Sequence, residues 1–102
     1  MSRQVDVHTP FLWSQSPLGN SGRVMGTCPQ LGISVEGLDR EDMQVAALEA
    51  THLVIQDMYR EGELPDAAAR SGWEVGGDLG APPDPQSSVT VKVGFRPDRV
   101  AA

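Results

Sequence analysis

The segment between Asp39 and Gly62 constrains the fold most, because it predicts one long amphipathic helix. Asp39 can cap the helix, and Glu41 and Asp42 lie in the first turn, where the helix dipole favours acidic side chains. Gly62 can end the helix. A first apolar stripe has the three- and four-residue spacing of a face that packs on a sheet. Its members are Met43, Ala46, Ala47, Ala50, Leu53, Val54 and Met58.

A second, narrower stripe lies about 120° further around the same helix. It comprises Leu48, Ile55 and Tyr59, with His52 beside it. The two stripes together are wider than one sheet face needs. The second stripe either packs beneath residues 64–73 or forms an interface with a second copy or another protein, and we favour the interface.

Tryptophan is enriched at the energetic centres of protein interfaces, so both tryptophans are candidate contacts. Each lies next to a predicted loop, where a tryptophan can also close the end of a small core. The predicted partner-binding residues are Leu48, His52, Ile55, Tyr59 and Trp73.

Apolar and polar residues alternate at the start of the chain, which predicts a half-buried strand in residues 3–13. Val5 and Val7 lie on one face of it. Pro10 lacks an amide donor, so the strand must bend, end or lie at a sheet edge there. Residues 14–22 are rich in Ser, Gly and Pro and are interpreted as a loop.

The stretch MGTCPQLGISVEGLDREDM predicts a hairpin followed by entry into the helix. Strands are expected at 23–28 and 33–36. Pro29 interrupts pairing between them, Gly32 takes a backbone angle that a side chain disfavours, and Gly37 frees the chain to turn into the helix.

After the helix, Pro65 can start a short helix through Arg70, with Gly72 ending it. Residues 76–88 form a Gly/Pro-rich loop, and residues 88–95 show the clearest strand pattern in the chain. The whole predicts one α+β domain over residues 1–102: a three- or four-stranded antiparallel sheet with one long helix packed on one face.

Composition limits the function. The net charge of −6 argues against binding phosphate backbones through the bulk surface and favours a basic protein partner, or simply solubility. No apolar run approaches the roughly 18 residues of a membrane span, and the N-terminus lacks a signal-peptide pattern. We therefore expect a soluble, cytoplasmic protein without membrane or direct nucleic-acid binding.

The residues that could carry chemistry are few. Cys28 is the one cysteine, and it precedes a proline at a strand end, where a small packing residue is usual. A pairing of Cys28 with His8 or His52 for nucleophilic catalysis is the enzymatic alternative. No His/Asp/Glu spacing supplies a metal site. We expect no catalytic residues, no cofactor and no metal, and the chain is not expected to be an enzyme.

The stretch GTCPQLGISVEGLDREDMQVAALEATHLVIQDM resembles the HicB-like antitoxin domain. Members of that family have a strand ending in a Cys-Pro-Glu-Leu-Gly-like turn, a short strand ending in Gly, and a helix with an acidic cap. The resemblance covers residues 24–63 and extends loosely to VDV near the N-terminus and VTVKV near the C-terminus.

The resemblance implies a partial RNase H-like fold without the RNase H carboxylates. It also implies a function of binding a small basic RNA-cleaving toxin and masking its active surface, with a homodimer expected. Many such antitoxins also carry a DNA-binding domain, but the residues that resemble the family do not include one, so DNA binding is not expected from the resemblance. The alternative is an interaction, scaffold or inhibitor subunit of another system that uses the same small fold.

Overall fold

A computed structural model describes residues 4–77 and 87–96. Within these ranges the elements are β1 Gln4–Val7, β2 Phe11–Pro17, β3 Val24–Cys28, β4 Ile33–Gly37, α1 Arg40–Arg60, α2 Leu64–Ser71, β5 Val75–Gly77, β6 Ser88–Thr90 and β7 Val93–Phe95. The predicted α+β class with one long helix is confirmed. Neither helix of the described ranges is long and apolar enough to cross a bilayer.

The strands form two sheets, and each contains one parallel pair. The four-stranded sheet has the order β4-β3-β2-β7, with β2 and β7 parallel. The three-stranded sheet has the order β5-β1-β6, with β1 and β6 parallel. The other pairings are antiparallel, as the sequence analysis expected.

The predicted last strand, 88–95, is two short strands. β6 pairs with β1, β7 pairs with β2, and Val91 and Lys92 belong to neither strand. The apolar alternation of residues 88–95 continues without a break, but the strands with which they pair, β1 and β2, are separated by residues 8–10. Pro10 in that gap has no N–H to donate to a neighbouring strand.

The described residues group into two compact units. One contains the four-stranded sheet and takes its residues from 11–50 and 93–96. The other contains the three-stranded sheet and α2, and takes its residues from 4–10, 51–77 and 87–92. The boundary falls within α1, between Ala50 and Thr51. The single-domain organisation stays a prediction.

The hairpin predicted around Pro29 is confirmed. Cys28 pairs with Ile33, and the carbonyl of Cys28 accepts hydrogen bonds from the N–H groups of Leu31 at 3.2 Å and Gly32 at 2.9 Å. Gly32 has φ +66°, the left-handed conformation that glycine tolerates best.

The loop predicted at 14–22 is shorter than expected. β2 continues through Pro17, because its residues from Ser14 onward pair with β3. The N–H of Leu18 donates to the carbonyl of Arg23 at 2.9 Å and closes the turn. The prediction from composition assigned residues 14–17 to the loop, although they belong to β2. Ser and Pro are tolerated near the end of a strand.

Both ends of α1 agree with the prediction. The N–H of Asp42 donates to Oδ1 of Asp39 at 2.8 Å, and Oδ2 of Asp42 accepts from the N–H of Leu38 at 2.8 Å. At the other end Gly62 has φ +73°, and the N–H of Glu63 donates to the carbonyl of Met58 at 2.8 Å. These bonds satisfy groups that a bare helix end leaves unpaired.

The helix α2 confirms the short predicted helix, and Gly72 ends it with φ +73°. Gly76 and Gly77 of the predicted 76–88 loop lie in β5, and Ser88 lies in β6. Residues 78–86 of that loop lie outside the described residues.

The core of the four-stranded unit forms where α1 packs against the sheet at Met43. A Cβ on Gly26 would come 2.5 Å from Met43 Sδ, and a Cβ on Gly37 would overlap the backbone of Met43. The glycines therefore allow α1 to approach the sheet closely. The buried side chains of this unit are Phe11, Trp13, Cys28, Met43 and Ala47.

Candidate functional site

The buried residues of α1 do not form the first predicted stripe. They form one row with a spacing of four: Met43, Ala47, Thr51, Ile55 and Tyr59. Each step of four residues rotates the row by about 40°, because an α-helix turns 100° per residue. The row therefore begins in the first predicted stripe and ends in the second.

This drift corrects the prediction of an exposed second stripe. Ile55 is 0% exposed and Tyr59 is 4% exposed, so their own chain encloses both. Leu48 is 47% exposed and remains available. Leu53, assigned to the packed stripe, is 58% exposed, because the buried row has turned away from it at that level of the helix.

Tyr59 carries a second unusual feature. Its hydroxyl oxygen is buried, and no hydrogen-bond partner for it is found in the part of the chain that the structure describes. An unsatisfied buried hydroxyl is destabilising, so the ring of Tyr59 stabilises the core and its hydroxyl does not.

Three large apolar residues of the four-stranded unit are exposed within residues 38–48, and we call them the outer patch. They are Leu38, Val45 and Leu48, with exposed fractions of 70%, 50% and 47%. Val45 and Leu48 lie one helical turn apart, a spacing that places them side by side on α1. Val45 was not among the predicted contacts, although its spacing of three from Leu48 indicates that the two share a face of the helix.

The other predicted contact residues are distributed differently. His52 follows Leu48 by one turn of α1 and is half-buried. Trp73 is half-buried after the end of α2, where its N–H donates to the carbonyl of Ala68 at 2.9 Å. Trp13 is fully buried, so the core interpretation holds for it.

Carboxylates surround the outer patch along the chain. Asp39, Glu41, Asp42 and Glu49 are all exposed, and Arg40 is the one basic residue in residues 38–49. This segment is therefore both apolar and acidic.

Cys28 has the properties of a packing residue. It is 0% exposed at the end of β3. Burial raises the pKa of its thiol, an effect that hydrogen bonds from the backbone of Leu31 and Gln30 partly offset. A higher pKa leaves less of the thiolate that nucleophilic chemistry requires.

The described residues offer little for a small ligand. In residues 4–77 and 87–96, no three His, Cys, Asp or Glu side chains are grouped to hold a metal ion. An open pocket of about 620 Å³ is lined by Gly62, Glu63, Asp66, Ala69 and Arg70. Its lining has no large apolar side chain, whereas small-molecule sites are mostly apolar and enclosed.

Compared with family models, curated proteins and solved structures, the chain shows no match. The resemblance to HicB-like antitoxins stays a prediction from the quoted residues.

Proposed function

We propose that this chain is a protein-binding domain that acts as a HicB-like antitoxin. It binds a small basic RNA-cleaving toxin and masks the active surface of that toxin. The observation that carries the proposal is the outer patch, in which Val45 and Leu48 are exposed apolar side chains of α1 and Leu38 lies just before that helix, all within a segment rich in exposed carboxylates.

The apolar part of the patch supports burial by another polypeptide. Single exposed apolar residues are ordinary on protein surfaces, but Val45 and Leu48 lie side by side. Burying a leucine completely contributes about 1.5–3 kcal/mol, and roughly half of each side chain remains to be covered. Two such residues can anchor an interface but cannot form all of it.

The charge supports a cationic occupant. With a net charge of −6 the chain attracts a basic protein at long range, and the carboxylates of residues 39–49 bring that attraction to the patch. Complementary charge mainly speeds association and excludes wrong partners, and salt screens it. Association with the toxin is therefore fast at low ionic strength and slower as salt is added.

The contact surface differs from the one expected from sequence. Leu48 and His52 stay predicted contacts, and we add Val45 to Leu48. Ile55 and Tyr59 act through the core, because neither side chain can reach a partner while it is buried. Trp73 stays a predicted contact.

The test expresses the reading frames that flank this gene and selects a product that is short, basic and cleaves RNA; the lack of any such product would contradict the proposal. Cleavage of a fluorescent RNA is measured while this chain is titrated into the reaction. We expect inhibition that is complete at a fixed stoichiometry. We expect Leu48→Lys to weaken it by about 2 kcal/mol, or roughly thirtyfold, if Leu48 is an interface anchor.

Leu53→Lys is the matched control. Leu53 is the same residue type on the same helix, is 58% exposed, and lies about 140° around α1 from Leu48. Leu53→Lys adds the same charge as Leu48→Lys but lies outside the outer patch, so we expect it to change the inhibition only slightly. Equal losses in the two variants, or cleavage that the wild-type chain does not inhibit, would contradict the proposal.

A further inference from the structure

Two of the carboxylates beside the outer patch make no contact within the described fold. Glu41 and Glu49 are exposed, and neither carboxylate has a hydrogen-bond or ion-pair partner within residues 4–77 and 87–96. Asp39 and Asp42 differ from them, because one carboxylate oxygen of each accepts a backbone N–H at 2.8 Å at the start of α1. The acidic residues of this segment therefore divide into a pair that caps the helix and a pair that remains available.

The two available glutamates lie on either side of Val45. Residues four apart on an α-helix are surface neighbours, and Val45 follows Glu41 by four residues and precedes Glu49 by four. Glu41 also lies within about 20° of Leu48 around the helix axis. The rise of about 1.5 Å per residue separates the two glutamates by about 12 Å along α1. An exposed apolar contact thus lies between two negative charges.

The one basic residue of the segment does not neutralise this arrangement. Arg40 lies about 140° around the helix axis from Val45. The two glutamates repel each other only weakly, because their separation exceeds the Debye length of about 8 Å at physiological ionic strength. Each charge is therefore available to a cation of a partner.

We propose that Glu41 and Glu49 determine which partner the outer patch accepts. The matching surface carries an apolar side chain between two basic side chains about 12 Å apart, so that one contact covers Val45 and each basic group meets one glutamate. This inference deepens the proposed function and rests on it. The toxin is recognised by the spacing of its charges around an apolar contact, and not by its net positive charge alone.

The test measures how tightly the RNA-cleaving product selected above binds the wild-type chain, Glu41→Gln and Glu49→Gln. Glutamine keeps the length and helix propensity of glutamate and removes the charge. Exposed ion pairs contribute little individually, so we expect each variant to raise the dissociation constant by about 2- to 5-fold. The double variant should raise it by about 4- to 25-fold, because the two positions are too far apart to share a contact. These differences should disappear at about 1 M salt.

Glu36→Gln is the matched control. Each of the three single variants changes the net charge of −6 by one unit, so their long-range attraction for a basic partner is the same. Glu36 lies on the face of the sheet opposite to α1, since the neighbouring Gly37 faces Met43 and successive residues of a strand point to opposite faces. We therefore expect Glu36→Gln to leave the dissociation constant nearly unchanged.

A second measurement identifies the basic groups of the partner. Each Lys and Arg of the RNA-cleaving product is replaced by Ala, and each replacement is combined with Glu41→Gln or Glu49→Gln in a double-mutant cycle. We expect one basic residue to couple with Glu41 and a different one to couple with Glu49.

The outcomes separate this inference from the proposed function. Inhibition by the wild-type chain, together with equal effects of Glu36→Gln, Glu41→Gln and Glu49→Gln, would overturn the inference and leave the proposed function intact. A single basic residue that couples with both glutamates would overturn the proposed spacing in the same way. The lack of an RNA-cleaving partner would overturn both.

Discussion

The two halves of α1 use their apolar residues in different ways. The first half buries Met43 and Ala47 and leaves two neighbouring residues, Val45 and Leu48, exposed, whereas the second half buries Ile55 and Tyr59 and leaves the single apolar residue Leu53 exposed. A helical-wheel projection shows the angle of each residue around the helix axis but not its position along that axis. The width of an apolar arc therefore does not by itself reveal a second interface, because a drifting buried row can fill that width.

The largest expected effect distinguishes the second half from the first. Tyr59→Ala should lower the free energy of unfolding by about 3–5 kcal/mol, because it empties a buried site. Leu48→Ala should lower it by only about 1 kcal/mol, because roughly half of the Leu48 side chain is exposed. Urea denaturation of both variants measures the difference. Similar losses at the two positions would remove the distinction between the halves.

The next effect concerns the packing of the first half of α1 against Gly26 and Gly37. Gly37→Ala should destabilise by about 1–3 kcal/mol or more, because its Cβ overlaps the backbone of Met43 and α1 must move. Gly26→Ala should cost less, since the nearest obstacle is the flexible Met43 side chain. Thermal unfolding of the two variants gives the order. The reverse order would mean that α1 does not rest on Gly37.

The two ends of α1 provide a smaller pair. Asp39→Ala should cost about 1 kcal/mol by removing the acceptor for the N–H of Asp42, and Asp39→Asn only a few tenths, because it keeps an acceptor. Gly62→Ala should cost roughly 1–2 kcal/mol through its φ of +73°. Urea midpoints at constant slope report these values. An Asp39→Asn variant as unstable as Asp39→Ala would point to charge rather than hydrogen bonding.

The smallest expected effect is a gain in the free energy of unfolding rather than a loss. Tyr59→Phe removes the buried hydroxyl and keeps the ring, so it should be neutral or stabilise by up to about 1 kcal/mol. Differential scanning calorimetry of this variant beside Tyr59→Ala separates the hydroxyl from the ring. A loss of stability would show that the hydroxyl has a hydrogen-bond partner.

The sequence predicted well where structure depends on neighbours in the chain. The cap at Asp39, the stop at Gly62, the turn at Gly32 and the short helix before Gly72 each depend on residues a few positions apart. Such features can be predicted from sequence because backbone dihedral angles and helix-capping hydrogen bonds depend on residues close in the chain.

Prediction failed where structure depends on distant partners. The division of residues 88–95 into β6 and β7 follows from an interruption near Pro10, more than seventy residues earlier. The burial of Ile55 and Tyr59 depends on tertiary packing, which periodicity does not describe. Of the residues predicted to contact a partner, Leu48 is exposed and His52 is half-buried, whereas Ile55 and Tyr59 belong to the core, and the exposed Val45 was not among those predicted.

The boundary within α1 has a consequence for how the protein must be made. The chain passes between its two compact units after Pro10, after Ala50 and after Lys92, so neither unit is a continuous stretch of sequence. Trimming either terminus therefore cannot isolate one unit intact. The parallel pairing of Gln4 with Ser88 cannot form until Ser88 has been synthesised, and such long-range contacts slow folding. During synthesis on the ribosome, β1 is made long before its partner β6, so the three-stranded sheet is completed late.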